Sequence, residues 1–146
     1  MTTYSDIVKI ARSQIGVPWV HQMRINGVAL DCGGLIIYVA KQIGVSVDDV
    51  QGYGRMPNPA EHKIILDKVT DRKPKSDIRF GDIAWIKFEG SQPSHFAIVG
   101  DYQYGGLTLI HAYNGAGLMK VIEHRIDDQW MRRIVGVWRF RGIDER

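Results

Sequence analysis

Among 146 residues there is one cysteine, Cys32, and there are five histidines, the side chains best suited to nucleophilic attack and to proton transfer near neutral pH. A lone thiol forms no internal disulfide and no multi-thiolate zinc site, which leaves two readings: an inert packing residue or a nucleophile. Its neighbours favour the nucleophile. In Asp31-Cys32-Gly33-Gly34-Leu35 a loop turns into a helix, with Asp31 as N-cap and Cys32 in the first turn, where unpaired N–H groups and the positive end of the helix dipole favour a thiolate. The Asp31 carboxylate opposes that charge unless it turns away to cap N–H groups, so its role is read as structural. Gly33 and Gly34 leave the first turn bare, so that a substrate backbone can approach closely.

A thiol with an ordinary pKa near about 8.5 is only slightly ionised at neutral pH, so a basic partner is required. Histidine is the usual one, and His21, His62, His95, His111 and His124 are available. His62 falls on a predicted helix as a surface residue and His124 ends a strand of mixed character, so both are set aside. His95 opens the apolar strand His95-Phe96-Ala97-Ile98-Val99, and His111 lies within Leu107-Thr108-Leu109-Ile110-His111-Ala112-Tyr113. Each alone reads as a hydrogen-bonded core histidine; two on neighbouring strands, beside one helix-start cysteine, read as a site. The turn decides whether they meet. A three-residue loop Gln103-Tyr104-Gly105 with a glycine bulge pairs Tyr102 with Gly106 and Ala97 with His111, making His95 and His111 diagonal neighbours about 7 to 8 Å apart on one face. A two-residue loop shifts the register by one and separates the faces.

These residues need elements to hold them. Ile7, Ile10, Ala11 and Ile15 recur at helical spacing after Ser5, read as the N-cap, and Gly16-Val17-Pro18 stops the run. Leu35, Ile36, Val39 and Ile43 form the apolar stripe of a second helix, with Gly44 beyond its end. Asn58-Pro59-Ala60-Glu61 opens a third, reaching about Val69. From Phe80 onward the period becomes strand-like, over about 82 to 88, 95 to 101, 107 to 113, 118 to 124 and 134 to 141. Short connections predict an antiparallel sheet, and helices followed by strands predict an α+β domain. The irregular stretch Val45 to Asn58 is expected as a loop near the site.

The length fits one domain, residues 1–146, able to bury its own core. Hydrophobic residues at 45% and charged residues at 24% exclude a disordered or fibrous chain. The net charge of +3 is spread along the sequence, with small groups at Arg72-Lys73-Pro74-Lys75 and among Arg132, Arg133, Arg139 and Arg141, and no nucleic-acid-binding signature accompanies it. No apolar run approaches the ~20 residues of a membrane span, and the N-terminus lacks a secretion-signal pattern, so synthesis in a bacterial cytoplasm without a signal peptide is expected. No cofactor is expected. Two histidines and one cysteine also fall short of a four-ligand structural metal site, although an open three-ligand zinc site would be compatible with them.

The sequence resembles the NlpC/P60 family of papain-like cysteine peptidases. The resemblance is carried, in order, by Gly16-Val17-Pro18-Trp19, Asp31-Cys32-Gly33-Gly34-Leu35, Phe80-Gly81-Asp82-Ile83, Ser94-His95-Phe96-Ala97-Ile98-Val99 and Ile110-His111-Ala112. It implies N-terminal helices packed on a five- to six-stranded antiparallel sheet, Cys32 as nucleophile, His95 as general base and His111 as the polar residue orienting it. Substrate contacts fall to Trp19, Asp31, Gly33, Gly34 and Ser94. The implied substrate is a peptidoglycan stem peptide, cut most often between γ-linked D-Glu and a diamino acid. The family often has Tyr after the proline and Ser after the nucleophile, where this chain has Trp19 and Gly33. Val20-His21-Gln22 is similar to compact phage-tail and prophage members, which implies tail proteins as partners and delivery on a virion tail. A tail-assembly protein using the fold without catalysis, and an amidase or acyltransferase using the same Cys-His-His set, are the alternative readings.

Overall fold

A computed structural model describes residues 2–18, 24–25, 29–30, 32–44, 70–88, 95–115 and 118–143. The first helix, α1, spans Tyr4–Arg12. Its N-cap is Thr3, two residues earlier than Ser5, because Thr3 and Asp6 form a reciprocal capping box: Asp6 N–H donates to Thr3 Oγ1 at 3.1 Å and Thr3 N–H to Asp6 Oδ2 at 2.9 Å. The helix ends at Arg12, and Ile15, expected on its buried stripe, is 46% exposed. The second helix, α2, spans Cys32–Gln42, with Gly44 at φ +80° just beyond it. The expected third helix from Asn58 and the loop before it lie outside the described residues.

The strands are β1 (Arg24–Ile25), β2 (Ala29–Leu30), β3 (Thr70–Lys73), β4 (Ile83–Ile86), β5 (His95–Asp101), β6 (Leu107–Gly115), β7 (Leu118–Arg125) and β8 (Ile134–Phe140). β1 and β2 form a short hairpin; the other six make one antiparallel sheet in the order β3-β8-β4-β5-β6-β7. The α+β architecture and antiparallel sheet are as expected. The sequence reading passed over the β1–β2 hairpin and the 3-10 turn Lys75–Asp77, and also two longer elements: β3, only four residues of Thr-Asp-Arg-Lys, and the short helix α3 (Asp128–Arg133), capped by Asp127 accepting from Trp130 N–H at 2.9 Å. Neither carries enough apolar period to announce itself.

Strand alternation divides the core in two. The even-numbered side chains Phe96, Ile98, Ile110 and Ala112, with Ile83, Val121 and Trp138, pack against Ile7 and Ala11 of α1 and Leu35, Ile36 and Val39 of α2. The opposite face buries Ala84, Ile86, Ala97, Val99, Leu109, Ile134 and Val137, flanked by Phe88 and by Trp130 and Met131 of α3. The outer strand β7 does not end the sheet bare, because the segment after α1 pairs with it: Gly16 N–H donates to Val121 O and Val121 N–H to Val17 O, both at 2.8 Å. Gly16-Val17-Pro18 thereby covers a sheet edge that would otherwise offer unpaired backbone groups, several residues after α1 has ended at Arg12.

Phe80-Gly81-Asp82-Ile83 proves architectural. Gly81 holds φ +90°, and a Cβ there would sit 2.8 Å from the Tyr4 ring, so only glycine fits. The fully buried Asp82 accepts from Arg139 Nε at 2.7 Å and from Nη2 at 2.9 Å, and from Arg79 N–H at 2.9 Å. This two-pronged pair ties the start of β4 to β8. The guanidinium is satisfied further by Asp77, through Oδ2 at 3.2 Å and the carbonyl at 2.9 Å. Hydrogen bonds to Asp82 hold the Arg139 charge more firmly than usual.

Candidate active site

The loop between β5 and β6 sets the register on which the site depends. Gly105 N–H donates to Tyr102 O at 2.9 Å and Tyr102 N–H to Gly106 O at 3.1 Å, with Gly105 at φ +100° and Gly106 at +90°. Asp101 pairs with Leu107 and Val99 with Leu109, the register of the three-residue loop, and its continuation places His95 and His111 diagonally on the same face. Their side chains meet: His95 Nε2 and His111 Nδ1 are hydrogen-bonded at 2.6 Å, with ring centroids 4.9 Å apart. His111 is fully buried and His95 8% exposed.

The pairing continues to a third histidine. His111 Nε2 and His124 Nε2 are 2.8 Å apart, and His124 Nδ1 lies 2.9 Å from the Arg125 carbonyl oxygen. His124 was set aside in the sequence reading because its strand is mixed in character. Yet β6 and β7 pair Leu109 with His124 and His111 with Ile122, so His111 and His124 are diagonal neighbours on one face, as His95 and His111 are. The signal was the two residues separating Gly115 from Leu118, since a two-residue hairpin loop fixes this register. β7 is held in place from its other face, where Glu123 accepts from Arg12 of α1 at 3.0 Å (Nε to Oε1) and 2.8 Å (Nη2 to Oε2), and from Thr108 Oγ1 at 2.7 Å.

Aromatic rings close around the three imidazoles. Trp130 lies 4.6 Å from His124 and 5.4 Å from His111 between ring centroids. Tyr113 lies 5.2 Å from His111, and Phe88 5.8 Å from His95. Burial in this apolar shell, followed by the neighbouring charges possible on His95 and His124, holds the His111 pKa well below the usual histidine value. His111 is therefore a neutral imidazole that accepts one hydrogen bond and donates another.

Cys32 is the first residue of α2, with Gly33 and Gly34 following in the same turn, as the sequence predicted. The body of α2 packs on the even-numbered face, opposite His95 and His111. The Cys32 side chain, Trp19, Asp31 and Ser94 lie outside the described residues. Among the described residues, no group of three or more His, Cys, Asp or Glu side chains is arranged to hold a metal ion, and no helix is long and apolar enough to cross a membrane.

The architecture is shared with known structures. The chain is similar to an NLP/P60 family lipoprotein-like protein from Staphylococcus aureus subsp. aureus Mu50 (18% identity, TM-score 0.63), covering 97% of this chain and 42% of that one. NlpC1 from Trichomonas vaginalis matches at 13% identity and TM-score 0.67, over 94% of this chain and 44% of that one. The NlpC/p60 domain of the peptidoglycan hydrolase SagA matches at 23% identity and TM-score 0.61, over 93% of this chain and 97% of that domain. The chain thus spans less than half the length of the first two, and at these identities the likeness is one of fold. No curated protein matches the sequence. The sequence profile of the NlpC/P60 family matches residues 16–139, a span running from the glycine after α1 to the arginine that holds Asp82, and the chain belongs to that family.

Proposed function

We propose that this protein is a cysteine peptidase that hydrolyses peptidoglycan stem peptides, with the bond between γ-linked D-Glu and a diamino acid as the expected target. The hydrogen bond between His95 and His111 carries the reading: it pairs a strand-borne base with a buried neutral partner, in a chain whose second helix opens on its only cysteine. Family membership supports the reaction class, and the similar SagA domain comes from a peptidoglycan hydrolase.

In this mechanism the Cys32 thiol gives its proton to His95, and the thiolate attacks the amide carbonyl carbon, forming a C–S bond. The Cys32 N–H at the start of α2 stabilises the oxyanion. The C–N bond breaks as imidazolium His95 protonates the leaving amine. His95 then takes a proton from water, whose oxygen attacks the thioester; the C–S bond breaks, releasing a carboxylic acid and restoring the thiol pair. His111 orients His95 throughout. Trp19, Asp31, Gly33, Gly34 and Ser94 are assigned to the substrate-binding side, and the catalytic unit to a single domain, residues 1–146. The Val20-His21-Gln22 string supports delivery on a phage tail, with tail proteins as partners.

Digestion of purified peptidoglycan, with fragments identified by mass spectrometry, tests the proposal. Release of peptides with new termini at D-Glu or the diamino acid is expected from the wild type and not from Cys32→Ser. Equal release by both proteins overturns it.

A further inference from the structure

We infer that His124 is a positioning residue: through the Arg125 carbonyl it fixes the direction of the whole histidine chain and so keeps the basic lone pair of His95 on Nδ1. The inference rests on the hydrolase reading for its catalytic consequence, and on geometry for its chemistry.

A carbonyl oxygen only accepts, so at 2.9 Å from the Arg125 oxygen His124 Nδ1 must carry a hydrogen and donate it. Neutral His124 then has its lone pair on Nε2. That nitrogen faces His111 Nε2 at 2.8 Å, so His111 must donate from Nε2. Held neutral by burial, His111 is left with its lone pair on Nδ1, which faces His95 Nε2 at 2.6 Å. His95 must therefore donate from Nε2, and its neutral form has its basic lone pair on Nδ1. Each step follows from the one before, and the first is set by a backbone group that cannot titrate or change tautomer. Reversing any imidazole would oppose two N–H groups or two lone pairs at a contact under 3 Å, in a site where His111 is fully buried.

The surroundings suit such a role. Trp130, fixed by the Asp127 cap of α3, lies against His124 and limits its ring rotation, while Arg12 holds the neighbouring Glu123 from the opposite face of the sheet. His124 is half-buried at the outer strand, so the chain of imidazoles runs from His95 in the interior to a ring at the molecular rim.

The test uses the full chain labelled with 15N at histidine, long-range 1H–15N spectra of the imidazoles at pH 7.5, and the pH profile of Cys32 alkylation by iodoacetamide. In the wild type, His111 is expected as the Nε2–H tautomer and His124 as the Nδ1–H tautomer. His124→Phe keeps an aromatic ring against Trp130 and removes the acceptor; the His111 Nδ1–H form should appear and the midpoint of the alkylation profile should move to higher pH. His124→Gln places an amide oxygen where Nε2 stands and should restore both readouts towards wild type, which a merely space-filling role would not require. On a cleavable stem peptide, kcat should fall on the order of 10–100-fold in His124→Phe, as for other partners that orient a reacting group, with KM little changed. A wild-type His111 in the Nδ1–H form overturns the inference, as does an alkylation profile unmoved in both variants. The spectra and the alkylation need no substrate: a protein with the expected tautomers that leaves peptidoglycan intact defeats the hydrolase reading alone.

Discussion

His95 and His111 lie on adjacent strands, diagonal across one sheet face, and join Nε2 to Nδ1 at 2.6 Å with the second ring fully buried. The arrangement assigns them unequal duties. Proton transfer near neutral pH needs an imidazole at position 95, whereas accepting the His95 N–H needs only a polar atom at position 111. His95→Ala should lower single-turnover rates on a stem peptide by about 10²–10⁴-fold, the usual contribution of a general base. His111→Asn, which offers an amide oxygen, should lose less. Equal inactivation of two folded variants would exchange or abolish the assigned roles.

Burial of His111 also makes stability depend on pH. Its folded pKa is depressed, first by burial and then by its histidine neighbours, while the unfolded chain takes up the proton near 6.5. The unfolded state therefore binds more protons below that value. The contribution is fully present above pH ~6.5 and is lost as pH falls towards the folded pKa, by at most about 1.4 kcal/mol per pH unit. Urea unfolding at pH 7.5 and pH 5 should show a loss in the wild type that is smaller by about 1–2 kcal/mol in His111→Leu. Parallel losses would mean that His111 is not held neutral by folding.

The reactivity of Cys32 separates a nucleophile from a packing residue. The proposed mechanism requires a Cys32 thiol that is half-ionised well below about pH 8.5, so iodoacetamide should modify Cys32 near pH 6 faster than it modifies a model thiol. His95→Ala should remove most of that advantage. An apparent pKa at or above the model value would return Cys32 to the inert reading.

Much of this site was legible in the sequence because the information was local. The Gly105-Gly106 pair fixed the β5–β6 register, and that register alone put His95 beside His111. The apolar stripe Leu35, Ile36 and Val39 placed α2 on the core, with Cys32 at its start. What escaped was weak in pattern or set by distant partners. β3 is a polar strand made by pairing with β8, and α3 is six residues long. The capping box at Thr3 outcompeted Ser5 because it satisfies two N–H groups at once. His124 was passed over because its strand was judged by composition, when the decisive fact was a two-residue spacing that aligns Ile122 with His111.

Asp82 and Arg139 form a pair in which neither side chain is more than 7% exposed. Removing one partner leaves a buried charge with part of its hydrogen bonding lost, so Asp82→Asn should cost about 3–5 kcal/mol in chemical denaturation, less whatever Asp77 recovers. Replacing both, as Asp82→Leu with Arg139→Met, should cost less than the sum of the single changes, since no charge is then stranded. A strictly additive cycle would show that the pair is not the tie between β4 and β8.

Gly100 offers the most direct test of how α1 holds β7. It lies opposite Thr108 in the β5–β6 pairing, and a Cβ there would stand 2.4 Å from Thr108 Oγ1 and 3.1 Å from Glu123 Oε2. Gly100→Ala must therefore push the Thr108 hydroxyl off Glu123, breaking a 2.7 Å hydrogen bond inside the network that Arg12 completes. Steric insertion at a packed site of this kind costs about 1–3 kcal/mol. Thr108→Ala removes the clashing hydroxyl, so the double variant Gly100→Ala with Thr108→Ala should be more stable than the two single losses predict. Because Glu123 and His124 are consecutive on β7, Gly100→Ala should also shift the imidazole resonances of His124, and the second substitution should return them part of the way. Unchanged His124 resonances in a destabilised Gly100→Ala protein would show that the Arg12–Glu123 anchor does not govern the position of the outermost histidine.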